Sequence, residues 1–249
     1  MKIEQAYKLQ DQSWKFISDR EEKLIKPLVL VFGNRFALEE SGVYHDIKSL
    51  YPDGEIIMGS TAGEILESEL YTSSITLTAI EFEKSRYEIS RANIRDHNND
   101  TYETPKTLAF GLSKENLNHV FIVSEGSFVN GSALISGLTE NGISVGVSGG
   151  LCGDDERFGS TIVGYNEYAI QGEIVIIGFY GDDLEISCSQ YCGWDTFGPK
   201  RTITKSAGNV LYEIDNHPAL DLYKKYLGTQ SLDLPRSAIL YPLYVQPLD

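Results

Sequence analysis

A chain of 249 residues holds one or two domains, and its 41% hydrophobic content is ample for a core. With 21 basic against 36 acidic residues the net charge is −15, a balance that argues against nucleic acid or an anionic membrane surface as partner. The chain opens without an apolar signal region, no run is long enough to span a bilayer, and 3 cysteines fit reduced thiols in the cytoplasm better than a disulfide framework.

Along the chain, Ile3, Tyr7, Trp14 and Ile17 fall on one helical face and predict an amphipathic first helix ended at Lys26-Pro27. Leu28-Val29-Leu30-Val31-Phe32 reads as a buried strand. Val43, Ile47 and Leu50 give a second helix stopped by Pro52-Asp53-Gly54. A strand over 56–59 runs into a glycine turn, and two longer strands follow at 74–83 and 86–94. Thr104-Pro105 then reads as N-cap and first position of a helix carrying Leu108 and Leu112. A strand follows at 120–124, then a helix from Asn130 that buries Leu134 and Leu138 and stops at Asn141-Gly142. A strand at 145–148 leads to a second glycine turn, and a short hairpin pairs 161–163 with 168–170. The strands at 173–180 and 184–192 make a final pair, the latter placing Cys188 and Cys192 in the core with Ile186. Beyond a turn-rich link around Trp194 come one or two strands over 203–213, a helix at 218–227 and an apolar tail.

Two of these stretches match. Gly59-Ser60-Thr61-Ala62-Gly63-Glu64 and Gly149-Gly150-Leu151-Cys152-Gly153-Asp154 each follow an apolar strand, space two glycines four apart and end in a carboxylate. The flanking elements repeat as helix, strand, helix, strand, strand, strand. The expectation is an α+β fold, internally duplicated over about 1–95 and 104–192, with central β-sheets flanked by helices. Whether the two halves pack sheet on sheet or share one mixed sheet stays open.

The glycine turns, Gly193-Trp194, and Val210-Leu211-Tyr212-Glu213-Ile214-Asp215 running into Pro218-Ala219-Leu220-Asp221-Leu222-Tyr223 together resemble the FIST family over roughly 25–228. The resemblance implies a FIST N-like duplicated domain over 1–205, followed at 206–249 by the start of a C-terminal module, incomplete as it stands. It also implies a sensory module of intracellular signal transduction that binds a small polar ligand, an amino acid or related metabolite, and hands the signal to a protein partner.

The residues themselves set the candidate site. A glycine after a buried strand lets backbone approach a ligand closely, or simply lets two turns pack, and the residues leave both readings open. Neither turn has the spacing of a dinucleotide fingerprint or a P-loop. The ligand-binding candidates are Ser60, Thr61, Gly149, Gly150, Gly153, Asp154, Asp155 and Trp194, lining one cleft. No catalytic constellation, metal site or cofactor is expected. Cys152 has no motif-placed base among His45, His97, His119 and His217, so it reads as a small core filler that matches Ala62 of the first turn. The acidic runs Asp154-Asp155-Glu156 and Asp182-Asp183 lack a calcium-loop pattern. The rival readings are an enzyme that uses Cys152 or the Asp154–Asp155 pair, and a protein-interaction scaffold suggested by the apolar tail.

Overall fold

A computed structural model describes residues 1–9, 12–17, 23–40, 42–189 and 193–246. The chain divides into two compact units, Met1–Cys188 and Ser189–Asp249.

In the first unit, β1 (Lys2–Leu9), β2 (Lys15–Phe16) and β3 (Leu28–Asn34) precede α1 (Arg35–Glu39) and α2 (Val43–Leu50). Next come β4 (Glu55–Thr61), a small hairpin of β5 (Glu64–Leu66) and β6 (Glu69–Tyr71), then β7 (Ser74–Glu81) and β8 (Arg86–Asn93). After α3 (Glu103–Phe110) the chain forms β9 (Leu117–Ser124), α4 (Gly131–Glu140), β10 (Gly146–Leu151), β11 (Val163–Tyr165) and β12 (Glu173–Tyr180). One sheet has the order β11-β4-β3-β7-β1-β2 and the other β10-β9-β12-β8.

Period-two alternation decides how these sheets pack. Val29 and Val31 of β3 face outward, onto Leu38, Val43 and Ile47 of α1 and α2. Val120 and Ile122 of β9 likewise face Leu108, Leu134 and Leu138 of α3 and α4. The alternate residues, Leu28 and Ile57 from one sheet and Val123, Val175 and Ile177 from the other, share a third core between the sheets. The unit is therefore layered helix, sheet, sheet, helix, and each buried Leu, Ile or Val side chain contributes about 1.5–3 kcal/mol. This resolves the packing that the sequence left open.

The two sheets have matching strand patterns. β3 runs parallel to β4 and antiparallel to β7, which in turn takes β1 antiparallel. In the same way β9 runs parallel to β10 and antiparallel to β12, which takes β8 antiparallel. The order the two sheets share is thus strand, strand, helix, strand, strand, with the expected helix before β9 present as α3 and its counterpart before β3 absent, and three elements account for the differences from the expected order. The first helix is replaced by β1, whose eight residues pair with β7 from Lys2 opposite Glu81 to Leu9 opposite Ser74. Ala6 and Glu4 turn inward while Ile3 stays half exposed, a strand pattern that the ladder enforces over a short helical periodicity. β8 does not pair with β7 but crosses to the second sheet. Residues 184–189 form no strand, because both edges of β12 are already taken by β8 and β9. Leu184 and Ile186 still pack on the inner core, so their alternation reported burial and not pairing. Cys188 is exposed, against the core position expected for it, and Cys192 lies outside the described residues.

Local signals were mostly sound. Asn130 caps α4 through Ala133 N at 3.0 Å, and Gly142 (φ +92°) follows its end. For α3 the cap is not Thr104: Asp100 Oδ1 accepts from the Tyr102 and Glu103 N–H, and Thr104 lies inside the helix. The hairpin expected at 161–170 survives as a bridge between Val163 and Ile170, with β11 spending its other edge on β4.

The second unit holds β13 (Ile203–Ala207), β14 (Val210–Ile214) and β15 (His217–Pro218) in one antiparallel sheet, then α5 (Ala219–Leu227) and the short α6 (Ser237–Leu240). Arg201 bridges Asp215 and the Tyr226 hydroxyl. Leu240, Tyr241, Leu243 and Tyr244 of the tail are exposed. No helix among the described residues is long and apolar enough to cross a membrane.

Candidate functional site

The carboxyl ends of the two parallel strand pairs meet in the first unit. The turn after β10 crosses from its own sheet to the other: Cys152 N donates to Ser124 O at 2.7 Å, and Gly153 N donates to Ser60 O at 2.9 Å. A Cβ on Gly153 would lie 3.0 Å from Ala62 N, and one on Gly59 would lie 2.9 Å from Cys152 Sγ. Here the glycines serve close packing of turn on turn.

The turns correspond with an offset that the sequence match missed. Gly33 pairs with Ser60 and Ile75, whereas Ser124 pairs with Leu151 and Ile174. Ile75 and Ile174 both face helices, so Gly33 matches Ser124, Gly59 matches Gly150, and Cys152 matches Thr61 and not Ala62. One step on, Asn34 matches Glu125, and the two side chains do the same work. Asn34 Oδ1 accepts from Phe36 N and Ala37 N; the Glu125 carboxylate accepts from Ser127 N and Phe128 N. Glu125 is fully buried and takes a further hydrogen bond from Thr161 Oγ1 at 2.6 Å.

At the centre sits Asp154. Its Oδ1 accepts from Arg35 Nε at 2.9 Å and Arg157 Nη2 at 2.8 Å, and its Oδ2 from the Gly159 and Ser160 N–H, both at 3.1 Å. Burial pushes this carboxyl upward, but the guanidinium and amide donors outweigh burial and hold it at about 2. The Arg35 and Arg157 guanidiniums lie 4.3 and 4.4 Å from the Phe36 ring centroid. Asp155 Oδ2 accepts from Asn34 Nδ2 at 2.7 Å and pairs with Arg157 Nη1 at 2.7 Å. Beside it, buried Glu64 accepts from the Thr61 and Ser74 hydroxyls. Burial raises the Glu64 pKa against those hydroxyls, and the Asp155 charge raises it further.

The structure thus brings Ser60, Thr61, Gly153, Asp154 and Asp155 together. Ser60 is fully buried, with its hydroxyl accepting from Ile162 N, its N–H donating to Ile162 O, and its carbonyl accepting from Gly153. Gly149 and Gly150 lie apart from this cluster in β10 itself and are exposed. Trp194 belongs to the second unit, where it is exposed. Around Cys152, burial pushes the thiol up to about 12, which leaves almost no thiolate at neutral pH. Among the described residues, no three His, Cys, Asp or Glu side chains form a metal-holding group. Arg35 and Thr161 escaped the sequence reading as site residues: a basic residue after a capping Asn and a threonine at the start of an expected hairpin strand carry no distinguishing pattern.

Next to the cluster lies a shallow, solvent-open depression of about 380 Å³, lined by Glu39, Asn93, Arg95, Asp96 and Gln171 together with Ile162, Ala169 and Ile170. Arg35 ties it to the cluster through Glu39 at 3.2 Å, and Gln171 does so by donating to Ser160 Oγ.

No curated protein matches the chain. The family model described as the FIST N domain matches residues 27–217, so the chain belongs to that family of sensory signalling domains.

Proposed function

We propose that the first unit is a non-enzymatic, cytoplasmic receptor for a small polar metabolite, an amino acid or close relative, whose occupancy is passed to a signalling protein. The observation that carries this reading is that depression. It offers the Arg95 guanidinium to a carboxylate, Glu39 and Asp96 to an ammonium, and the Ile162, Ala169 and Ile170 side chains to an apolar body. The depression is shallow and open to solvent, and it mixes a few polar groups with an apolar base as small-molecule sites do. Ser60, Gly153 and Asp154 then hold the wall from behind, while Thr61 and Asp155 remain contact candidates on the rim of the turns. Trp194, Gly149 and Gly150 have no part in this version of the site.

A thermal-shift screen against amino acids and related metabolites tests it, since a ligand that binds only the folded state raises stability by mass action. A specific hit whose shift disappears in Arg95→Ala and persists in Asp155→Asn supports the depression. The reverse pattern moves the ligand to the turns, and no hit from any amino acid removes the proposed ligand class.

A further inference from the structure

The β5–β6 hairpin follows directly on the first glycine turn, and its two faces differ. Alternation turns Glu64 and Leu66 inward, where both are buried. It turns Ile65 outward, and the ladder sets Leu70 directly opposite Ile65 on that outer face. Leu70 is 70% exposed, and Ile65, at 76%, is the most exposed large apolar side chain among the described residues of this unit. A cross-strand pair steadies a hairpin, but two threonines would do so as well without holding apolar surface in water.

The charges around the pair are of one sign. Glu67 and Glu69 flank it and are exposed, and residues 49–83 include no Lys, Arg or His. Among the described residues neither glutamate pairs with a cation, whereas Glu39, Glu83, Glu88 and Glu167 each do. Unpaired carboxylates beside a bare apolar pair repel acidic surfaces, this chain's own included, and attract basic ones. We propose that the outer face of the β5–β6 hairpin docks a signalling protein through an apolar pocket edged by Lys or Arg. Ile65 and Leu70 enter that pocket, and Glu67 and Glu69 meet its basic rim.

Position ties this surface to the candidate site. Glu64, the first residue of β5, accepts from the hydroxyls of Ser74 and of Thr61, a contact candidate on the rim of the turns. The hairpin therefore hangs on the turn that the ligand candidates share. The proposal rests on the reading that this unit passes its signal to a protein, not on which residues hold the metabolite.

The probe is a random-peptide library displayed on phage and selected on the full chain. Ile65→Thr with Leu70→Thr keeps strand-forming residues in the hairpin, and Glu67→Lys with Glu69→Lys keeps the apolar pair. Circular dichroism and melting identical to wild type check that both double variants fold. Peptides retained by the wild type are expected to join Leu, Ile or Phe to Lys or Arg, and to bind each double variant at least about tenfold more weakly. Hydrogen exchange on the wild type is a readout free of variants: such a peptide slows the amides of 64–71. Peptides that bind the first double variant as tightly as wild type, that carry no basic residue, or that leave 64–71 unprotected overturn the proposal. So does a selection that retains nothing. A wild-type dimer in light scattering that the first double variant dissolves puts a second copy on this face and overturns it too. Failure of the metabolite screen bears on the depression alone, so the two failures are told apart.

Discussion

Arg35 and Asp154, 119 positions apart, meet through Nε and Oδ1 at 2.9 Å. The contact ties the first residue of α1, directly after β3, to the loop after β10, so a single carboxylate fastens the ends of both sheets. Removing that carboxylate by Asp154→Ala leaves the Gly159 and Ser160 N–H groups without their acceptor, and leaves Arg35 with Glu39 and Arg157 with Asp155 as their remaining carboxylates. Breaking a buried ion pair in this way costs about 3–5 kcal/mol, and the partial exposure of Arg157 places the expected loss near the lower figure. Asp154→Asn loses the charge and keeps one acceptor oxygen, but turns the other into a donor that faces donors, so it is expected to cost nearly as much. Urea denaturation at neutral pH measures both. The sign of the pH dependence follows from a folded-state pKa held at about 2, below the ordinary carboxylate value. The stabilisation is present above the ordinary value and is lost as pH falls toward 2. The gap between wild type and Asp154→Asn should therefore close over that descent; a gap that stays constant would mean the charge contributes nothing.

Gly150 in β10 and Gly153 in the turn after it should respond differently to the same change. A Cβ on Gly153 would sit 3.0 Å from Ala62 N and 3.3 Å from the Thr61 carbonyl carbon, so one turn must move away from the other. Such overpacking costs about 1–3 kcal/mol. At Gly150 a Cβ enters open space, and φ lies outside the left-handed region. Gly150→Ala should leave stability unchanged or raise it by about 0.5 kcal/mol through the unfolded chain. Equal losses at both positions would show that the turns do not pack as described.

How far the sequence was legible depends on where each signal is decided. Val29 and Val31, Val43 and Ile47, and Leu134 and Leu138 announced their elements because burial on one face is written locally. Ile3 and Tyr7 misled because a ladder with β7, some 70 residues away, overrides a four-residue periodicity. The glycine turns were found, yet matched one residue out of step, since identity of letters pairs Gly59 with Gly149 while hydrogen-bond register pairs it with Gly150. Asp154 and Asp155 were chosen for their charge. Of the two guanidiniums that neutralise Asp154, Arg157 sits three residues on, within reach of a sequence reading, whereas Arg35 lies 119 positions away and no spacing rule reaches it. The depression near Arg95 was invisible for the same reason, because its walls come from α1, the end of β8 and the segment before β12.

Cysteine chemistry separates the receptor reading from the enzyme reading. The Cys152 thiol, raised to about 12 by burial and by the Glu125 charge, should resist iodoacetamide at neutral pH in the folded protein. Cys188, which is exposed, should be alkylated readily. Peptide mass spectrometry after brief labelling distinguishes the two, with urea-unfolded protein as the control in which both react. Cys152→Ser should keep fold and ligand response at a cost of about 1–2 kcal/mol for a buried hydroxyl in search of a partner. Labelling of Cys152 as fast as Cys188 in the folded state would reopen a nucleophilic role.

Glu64 should show the opposite pH behaviour to Asp154. Burial is the main cause of its raised pKa, the Asp155 charge adds to it, and hydrogen bonds from the Ser74 and Thr61 hydroxyls oppose it. A carboxyl whose folded pKa lies above its unfolded value favours the protonated form. Its contribution to stability is full below the ordinary carboxylate range and is lost as pH rises through the folded value. At neutral pH an ionised Glu64 is therefore held in the fold at a cost, with hydroxyls as its hydrogen-bond donors. Glu64→Gln keeps the size and a hydrogen-bonding end but cannot ionise. Melting temperatures of wild type and variant across about pH 4 to 8, spanning the ordinary Glu value, provide the measurement. The variant is expected to gain on the wild type as pH rises, and to be equal or slightly less stable at the acid end. A variant that loses ground as pH rises would mean that the Glu64 charge is stabilised in the fold, with a cationic partner that the geometry around Thr61 and Ser74 does not provide.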